Sequence, residues 1–311
     1  MAKEKIDFHG HYFPPEYKKL LQKYNITSPD GFPMPTWSEE EHLSDMDKLN
    51  ITYSVISISS PHLNFGDDIE AAEVARASNE YGCNFASRYP DRIGVLASLP
   101  LPNVEKTLEE ISHINTNNFI KGFAIPTNTC GIYLGDERLD SVFEELDRIN
   151  AVVAIHPTSP SSVPENVNKN LPLPIMEFFF DTTRAVTNMI LNNTFIKYPN
   201  IKFIIPHAGA FIPILSDRLA SFSHIFSNDK DLDIFSQLSN LYYDLSGFSL
   251  PKQYDVLKKI VSCENILYGS DGPFTPLIGR IKLSQILDST DKISSNEREL
   301  IYSINPRRIL K

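Results

Sequence analysis

The chain has 311 residues and a formal net charge of -10 at pH 7, a length that buries a large core without disulfide staples. The acidic balance argues against nucleic-acid backbones and anionic membrane surfaces as partners, and no apolar run approaches the roughly 20 residues that cross a bilayer. Three widely spaced cysteines, Cys83, Cys130 and Cys263, with no CxxC pattern and no apolar leader before the first strand, read as free thiols of a cytoplasmic protein.

Short β-rich runs alternate with segments of helical spacing along the chain. A strand over 5–8 leads into a long Pro-rich loop over 12–37. A helix over 39–49 follows, with Ser38 as N-cap and Glu41 three residues on. Next come a strand over 53–59, a helix over 69–88, a strand over 92–98, and a helix over 104–114 capped by Asn103. A strand over 120–125 precedes the helix over 139–149, where Leu139, Val142, Phe143, Leu146 and Ile149 recur at steps of three and four. The strand over 152–155 opens a second long loop over 157–174, then a helix over 175–195. Strands over 201–205, 241–245 and 265–268 alternate with helices over 211–226, 254–262 and 277–287. Eight such units and no Gly-rich phosphate loop predict an α/β fold, a single-domain (β/α)8 TIM barrel over 1–311. Both long loops follow strands, so both are expected at the rim of the catalytic face.

Asp7-Phe8-His9-Gly10-His11 carries the first chemical signal. Residues i and i+2 of a strand point to one side, so His9 and His11 present two imidazoles to one space. Neutral imidazole is a good ligand for zinc, manganese or iron. Three more strands end in polar residues: His156-Pro157, His207-Ala208-Gly209 and Ser270-Asp271. Barrel active sites assemble at these ends. Three histidines and one carboxylate would leave a cation one position for water or substrate. Lys121 lies at the beginning of the fourth strand rather than its end, which predicts one metal and not a lysine-bridged pair. His42 and His113 fall in helical segments and read as surface residues. His224 falls on or after a helix, and His62 follows the second strand.

These motifs resemble the amidohydrolase superfamily, and within it the aminocarboxymuconate-semialdehyde decarboxylase-like branch. Tyr89-Pro-Asp-Arg92, Ala97-Ser-Leu-Pro100, Tyr133-Leu-Gly-Asp136, Phe180-Asp-Thr-Thr-Arg184 and Asn305-Pro-Arg-Arg308 extend the resemblance over the whole chain. Trp37-Ser38, Ser57-Ile-Ser-Ser-Pro61 and Phe178-x-Phe180 look most like 6-methylsalicylate decarboxylase relatives, with γ-resorcylate decarboxylases close by. The resemblance implies metal ligands at His9, His11, His156 and Asp271, holding zinc by default or manganese. It implies that His207 acts in proton transfer or activates metal-bound water, and a homodimer in which Arg218 reaches the neighbouring subunit's pocket and binds substrate carboxylate. Asp181 and Arg184 are expected to organise a helix start. Gly272 stands where relatives often carry a bulkier residue, which would enlarge or reshape the pocket.

The reaction so implied is non-oxidative decarboxylation of a hydroxybenzoate- or salicylate-like acid. His207 or Asp271 delivers the proton, and Trp37, Phe178 and Phe274 form the apolar wall. The same ligand set serves hydrolysis of a lactone or amide, with Asp271 as general base and His207 at the oxyanion. A metal-stabilised scaffold without turnover is the non-enzymatic alternative.

Overall fold

The computed structural model describes residues 4–226 and 232–310. Eight parallel strands run side by side in chain order: β1 (Ile6–His11), β2 (Tyr53–Ser57), β3 (Ile93–Ser98), β4 (Ile120–Pro126), β5 (Val152–His156), β6 (Lys202–Ile205), β7 (Tyr242–Asp244) and β8 (Ile266–Leu267). The last strand returns to the first. Phe8 N donates to Tyr268 O at 3.0 Å, Asp271 N to His9 O at 2.7 Å, and His11 N to Gly272 O at 2.7 Å. The fold is therefore the (β/α)8 barrel expected, and each predicted strand overlaps an observed one.

Helices cover the outside. They are α1 (Pro15–Lys23), α2 (Glu39–Lys48), α3 (Asp68–Arg88), α4 (Val104–Ile114), α5 (Asp140–Arg148), α6 (Leu173–Leu191), α7 (Ile212–Phe226), α8 (Lys252–Leu257) and α9 (Leu277–Ser289), with shorter turns between. Ser38 caps α2 by accepting from Glu41 N, and Asn103 caps α4 by accepting from Lys106 N. The sequence reading passes over α1, which interrupts the 12–37 loop. Pro15 opens that helix, and Tyr17, Leu20 and Leu21 form its buried stripe. The predicted 175–195 helix stops at Leu191, because Asn193 takes a left-handed conformation with φ 58°. Asp181 and Arg184 sit in the middle of α6, not at its start. Asp181 accepts from Thr127 Oγ1, Asn128 Nδ2 and Tyr133 OH, fastening a small hairpin after β4 to α6. Among the described residues, no helix is long and apolar enough to cross a membrane.

Two apolar shells hold the barrel. The inner one takes side chains from seven strands, among them Phe8, Val55, Leu96, Val152 and Ile204, and is completed by Ile309 of a C-terminal helix. The outer one packs the opposite strand faces against helices, as Ile56, Phe85 and Phe143 do. Inner and outer positions alternate along a regular strand. On β1 they do not: Asp7 pairs with Ser54 but Gly10 with Ile56, so β1 spends three residues where β2 spends two. This bulge changes the parity. Ile6 and Phe8 fill the inner shell, and beyond the bulge His11 pairs with Ser57 on the inner side as well.

Ile309 is 2% exposed and shares its cluster with residues distant in sequence. An Ile309→Ala variant is expected to lose about 2–4 kcal/mol of stability through the cavity it leaves. Denaturant unfolding of the full chain measures this.

Candidate metal centre and its cavity

Four imidazoles and a carboxylate converge above the inner shell. The His9 and His11 ring centroids lie 4.9 Å apart, His156 lies 4.9 Å from His11, and His207 lies 5.3 Å from His9. Asp271 Oδ1 lies 3.4 Å from His11 Nε2 and 3.7 Å from His9 Nε2. One donor atom from each of His9, His11 and His156 falls within 4.8 Å of the others, and the same holds for His9, His207 and Asp271. The Lys121 ammonium is engaged with Asn118 O, away from this cluster.

The Nδ1 atoms show which way the rings serve. His11 Nδ1 faces Ser57 O at 3.3 Å and His156 Nδ1 faces Pro157 O at 2.7 Å. A carbonyl can only accept, so Nδ1 carries the proton and Nε2 the lone pair. His9 Nδ1 meets Asp244 Oδ2 at 2.8 Å, the carboxylate–histidine arrangement that raises a ligand's basicity. The buried Nε2 atoms of His9 and His11 have no hydrogen-bond partner among the described residues. Buried ring nitrogens without a partner are costly, and a divalent cation among them would satisfy both. The donor set therefore fits one metal ion.

Burial and neighbouring charge set the protonation of the metal-free cluster. Burial lowers His11 and His156, and lowers His207 to about 4. His9 is also buried, but the Asp244 carboxylate outweighs burial and raises it to about 9. Burial works against the charged form of Asp271, yet the adjacent His11 and His9 imidazoles hold it well below the usual carboxylate range. The backbone is bent to reach these positions. His207, Ala208, Ala210 and Asp271 all have φ between 52° and 58°. Non-glycine residues in this region cost of order 1–3 kcal/mol each and gather where geometry serves a site.

A cavity of about 400 Å³ opens over the cluster. His156, His207 and Asp271 form its polar side, and Phe178, Phe179, Phe248 and Phe274 its apolar walls. Phe178 meets His156 edge-on at 6.3 Å, and Phe274 meets His11 at 5.9 Å. The first long loop supplies Pro29, Asp30 and Phe32 to the rim, whereas Ser59 and Ser60 come from the loop after β2 and Pro174 and Ile175 from the first turn of α6, so the 157–173 segment does not line the cavity.

Several expected residues lie elsewhere. Trp37 does not line this cavity. It packs between Tyr12, Tyr81 and Phe85 and borders a neighbouring groove of about 850 Å³, because the segment before α2 folds onto α3. His42 is not a surface residue: its Nδ1 accepts from Trp37 Nε1, and burial lowers it to about 4. His113 is exposed on α4, while His62 is buried outside the cavity. The His224 side chain lies outside the described residues. Gly272 does not enlarge the cavity. A Cβ there would come within 2.6 Å of the Arg280 guanidinium, which pairs with Asp45 at 2.5 Å, so the glycine makes room for that ion pair. Arg218 projects from the exposed side of α7, with its guanidinium 5.2 Å from the Phe222 ring centroid, and does not reach the cavity of its own chain.

Asp244 and Phe179 went unnoticed in the sequence. Asp244 ends β7 as His156 ends β5, so the same strand-end rule points to it. Phe179, which stacks on His207 at 5.7 Å, hides in a run of three phenylalanines.

Residues 6–311 match the family model for amidohydrolases. A decarboxylase of Penicillium terrestre is 31% identical over 290 residues, covering 88% of this chain and 85% of that protein. The 6-methylsalicylic acid decarboxylase of Penicillium expansum is 26% identical over 303 residues, covering 95% and 93%. A crystal structure described as amidohydrolase II superposes with a TM-score of 0.95 at 40% identity, covering 98% of this chain and 99% of that one.

An Asp244→Asn variant removes the charge behind His9 while keeping its shape. Metal affinity is expected to fall about 10- to 100-fold, read by competition with a chromogenic chelator.

Proposed function

The chain belongs to the amidohydrolase family, and on that premise we propose that it is a metal-dependent, non-oxidative decarboxylase of a hydroxybenzoate- or salicylate-like acid. The observation that carries this reading is the imidazole–carboxylate cluster at one side of a cavity otherwise walled by phenylalanines. Such a space accepts a flat aromatic ring with its acid group toward the cluster. The relatives named decarboxylases, one of them acting on 6-methylsalicylic acid, support the same reaction.

His9, His11, His156 and Asp271 are the proposed ligands. Zinc suits three imidazoles and a carboxylate, and manganese is the second occupant this set admits. A bound cation would supply positive charge opposite the substrate's carboxylate and neighbouring phenolic oxygen. The chain's own groups do the rest. Phe178 and Phe274 hold the ring between them, and Phe179 fixes the His207 ring by stacking. His207 or Asp271 brings a proton to the ring carbon that bears the carboxylate. The ring loses aromaticity, the bond to the carboxyl carbon breaks, its electron pair returns to the ring, and CO2 leaves. His207 Nδ1 has no hydrogen-bond partner among the described residues, which leaves it available to exchange a proton.

Arg218 belongs in this scheme as a residue of a homodimer. On α7 it shares an exposed face with Ile214, Phe222 and Ile225, which are 63%, 46% and 66% exposed. An apolar stripe of this kind is expected to be covered by a second copy, which would bring Arg218 to the partner's cavity rim. One domain over 1–311 and a cytoplasmic setting complete the reading, the latter in keeping with three free thiols.

Purified protein loaded with zinc or manganese is expected to release CO2 from substituted salicylates, and chelation to abolish this until metal is restored. His207→Asn is expected to reduce kcat by at least about 100-fold while leaving bound metal unchanged. Metal analysis with a CO2 assay checks both, and full activity of that variant removes His207 from the mechanism. Arg218→Ala is expected to raise KM about tenfold or more without changing the metal content, in line with a lost charge-assisted contact. Ile214→Glu is expected to shift the protein to a monomer in sedimentation, and a wild-type monomer would sink the shared-site reading.

A further inference from the structure

The cavity contains a second carboxylate that the proposed reaction does not use. Asp30 belongs to the turn Pro29–Gly31 in the loop after β1 and lines the same cavity as His156, His207 and Asp271. Its backbone is left-handed, with φ 53°. The Ser159 hydroxyl, from the loop after β5, donates to Oδ1. Ser60, from the loop after β2, lines the same cavity, and its hydroxyl works to lower the Asp30 carboxyl. Ser60 is held in turn by Thr158 at 2.9 Å. Three loops thus converge on one carboxyl group, which orients it with more care than a surface aspartate needs.

The surroundings make it unusual. Ile175, Phe32, Phe178 and Phe248 line the same space, and among the described residues no Lys or Arg lines it. Burial raises the Asp30 carboxyl above its ordinary value, and the two serine hydroxyls only partly offset this. Asp30 makes no ion pair with the cluster histidines among the described residues, whereas Asp271 does. A carboxylate carries about four acceptor sites, and two hydroxyl donors leave capacity unused. A half-buried acceptor with spare capacity discriminates between ligands, since one without a donor leaves it unpaired.

We infer that Asp30 is a specificity-determining residue that accepts a hydrogen bond from a hydroxyl or amino substituent on the aromatic ring, at a position other than the one beside the carboxylate. The inference rests on the decarboxylase reading for the ring and its orientation. It names the substrate class as a polyhydroxylated or amino-substituted benzoate rather than an alkyl-substituted one. The same negative charge disfavours a second carboxylate on the ring.

The test compares ring substituents of similar size. Dissociation constants and CO2 release are measured for metal-loaded protein with salicylates bearing either hydroxyl or methyl at each remaining ring position. In the wild type, hydroxyl is expected to bind at least about tenfold tighter than methyl at one position, as a hydrogen bond to a charged group should. Asp30→Ala is expected to bring that ratio within about threefold. Asp30→Asn, which keeps a carbonyl acceptor, is expected to retain part of it. If methyl equals or exceeds hydroxyl at every position in the wild type, the inference is wrong, and this comparison needs no variant to fold. It is equally wrong if the preference survives Asp30→Ala. If the binding preference follows Asp30 but no compound loses CO2, Asp30 keeps its role and the decarboxylase reading falls.

Discussion

The hydrogen bonds between the first and last strands fix the position of everything chemical in this protein. Asp271 N donates to His9 O, and His11 N donates to Gly272 O, so the two histidines and the carboxylate are locked in register by backbone alone. Asp7 reinforces the seam from within by accepting from His9 N at 3.0 Å and Ser270 N at 2.9 Å. Asp7 is buried, and burial raises its carboxyl, so it depends on these donors. Shift the seam by one residue and His9 no longer faces Asp271, Asp244 no longer backs His9, and the cluster dissolves.

Much of this was readable in the residues. Strand ends carrying His156, His207 and Asp271 beside a His-x-His pair forecast both the barrel and the converging donors. Period-2 reasoning put His9 and His11 on one side, and they are. Which side was not readable, because a regular β1 with Phe8 inward would turn both histidines outward. The bulge between Asp7 and Gly10 reverses that, and a bulge depends on pairing with β2 that a single sequence does not display. Trp37 shows the same limit at a larger scale. Its place on a long loop suggested the cavity wall, but tertiary packing against Tyr81 and Phe85 drew it to the neighbouring groove. Helix α1 was within reach, since its buried stripe has the right spacing. The density of prolines around it pointed to loop instead.

The cavity sets two carboxylates to opposite tasks through their neighbours. Asp271 lies among imidazoles and stays ionised, while Asp30 lies among aromatic rings with only hydroxyl donors. One is suited to a cation and the other to a neutral donor. Splitting identical side chains by environment in this way gives one small cavity two carboxyl groups of opposite character.

The seam also orders events in time. Asp7 and Ser270 are 263 residues apart, so the last strand must be synthesised before the ring of strands can close. Closing so long a loop is a late, entropically expensive step, and long-range pairings of this kind slow folding. A growing chain already contains His9, His11 and His156, but not the aspartate that completes the set. Any cation held earlier would sit in an incomplete shell open to exchange. A cation that preferred the complete shell would stabilise the closed ring by mass action and so favour the final strand's arrival.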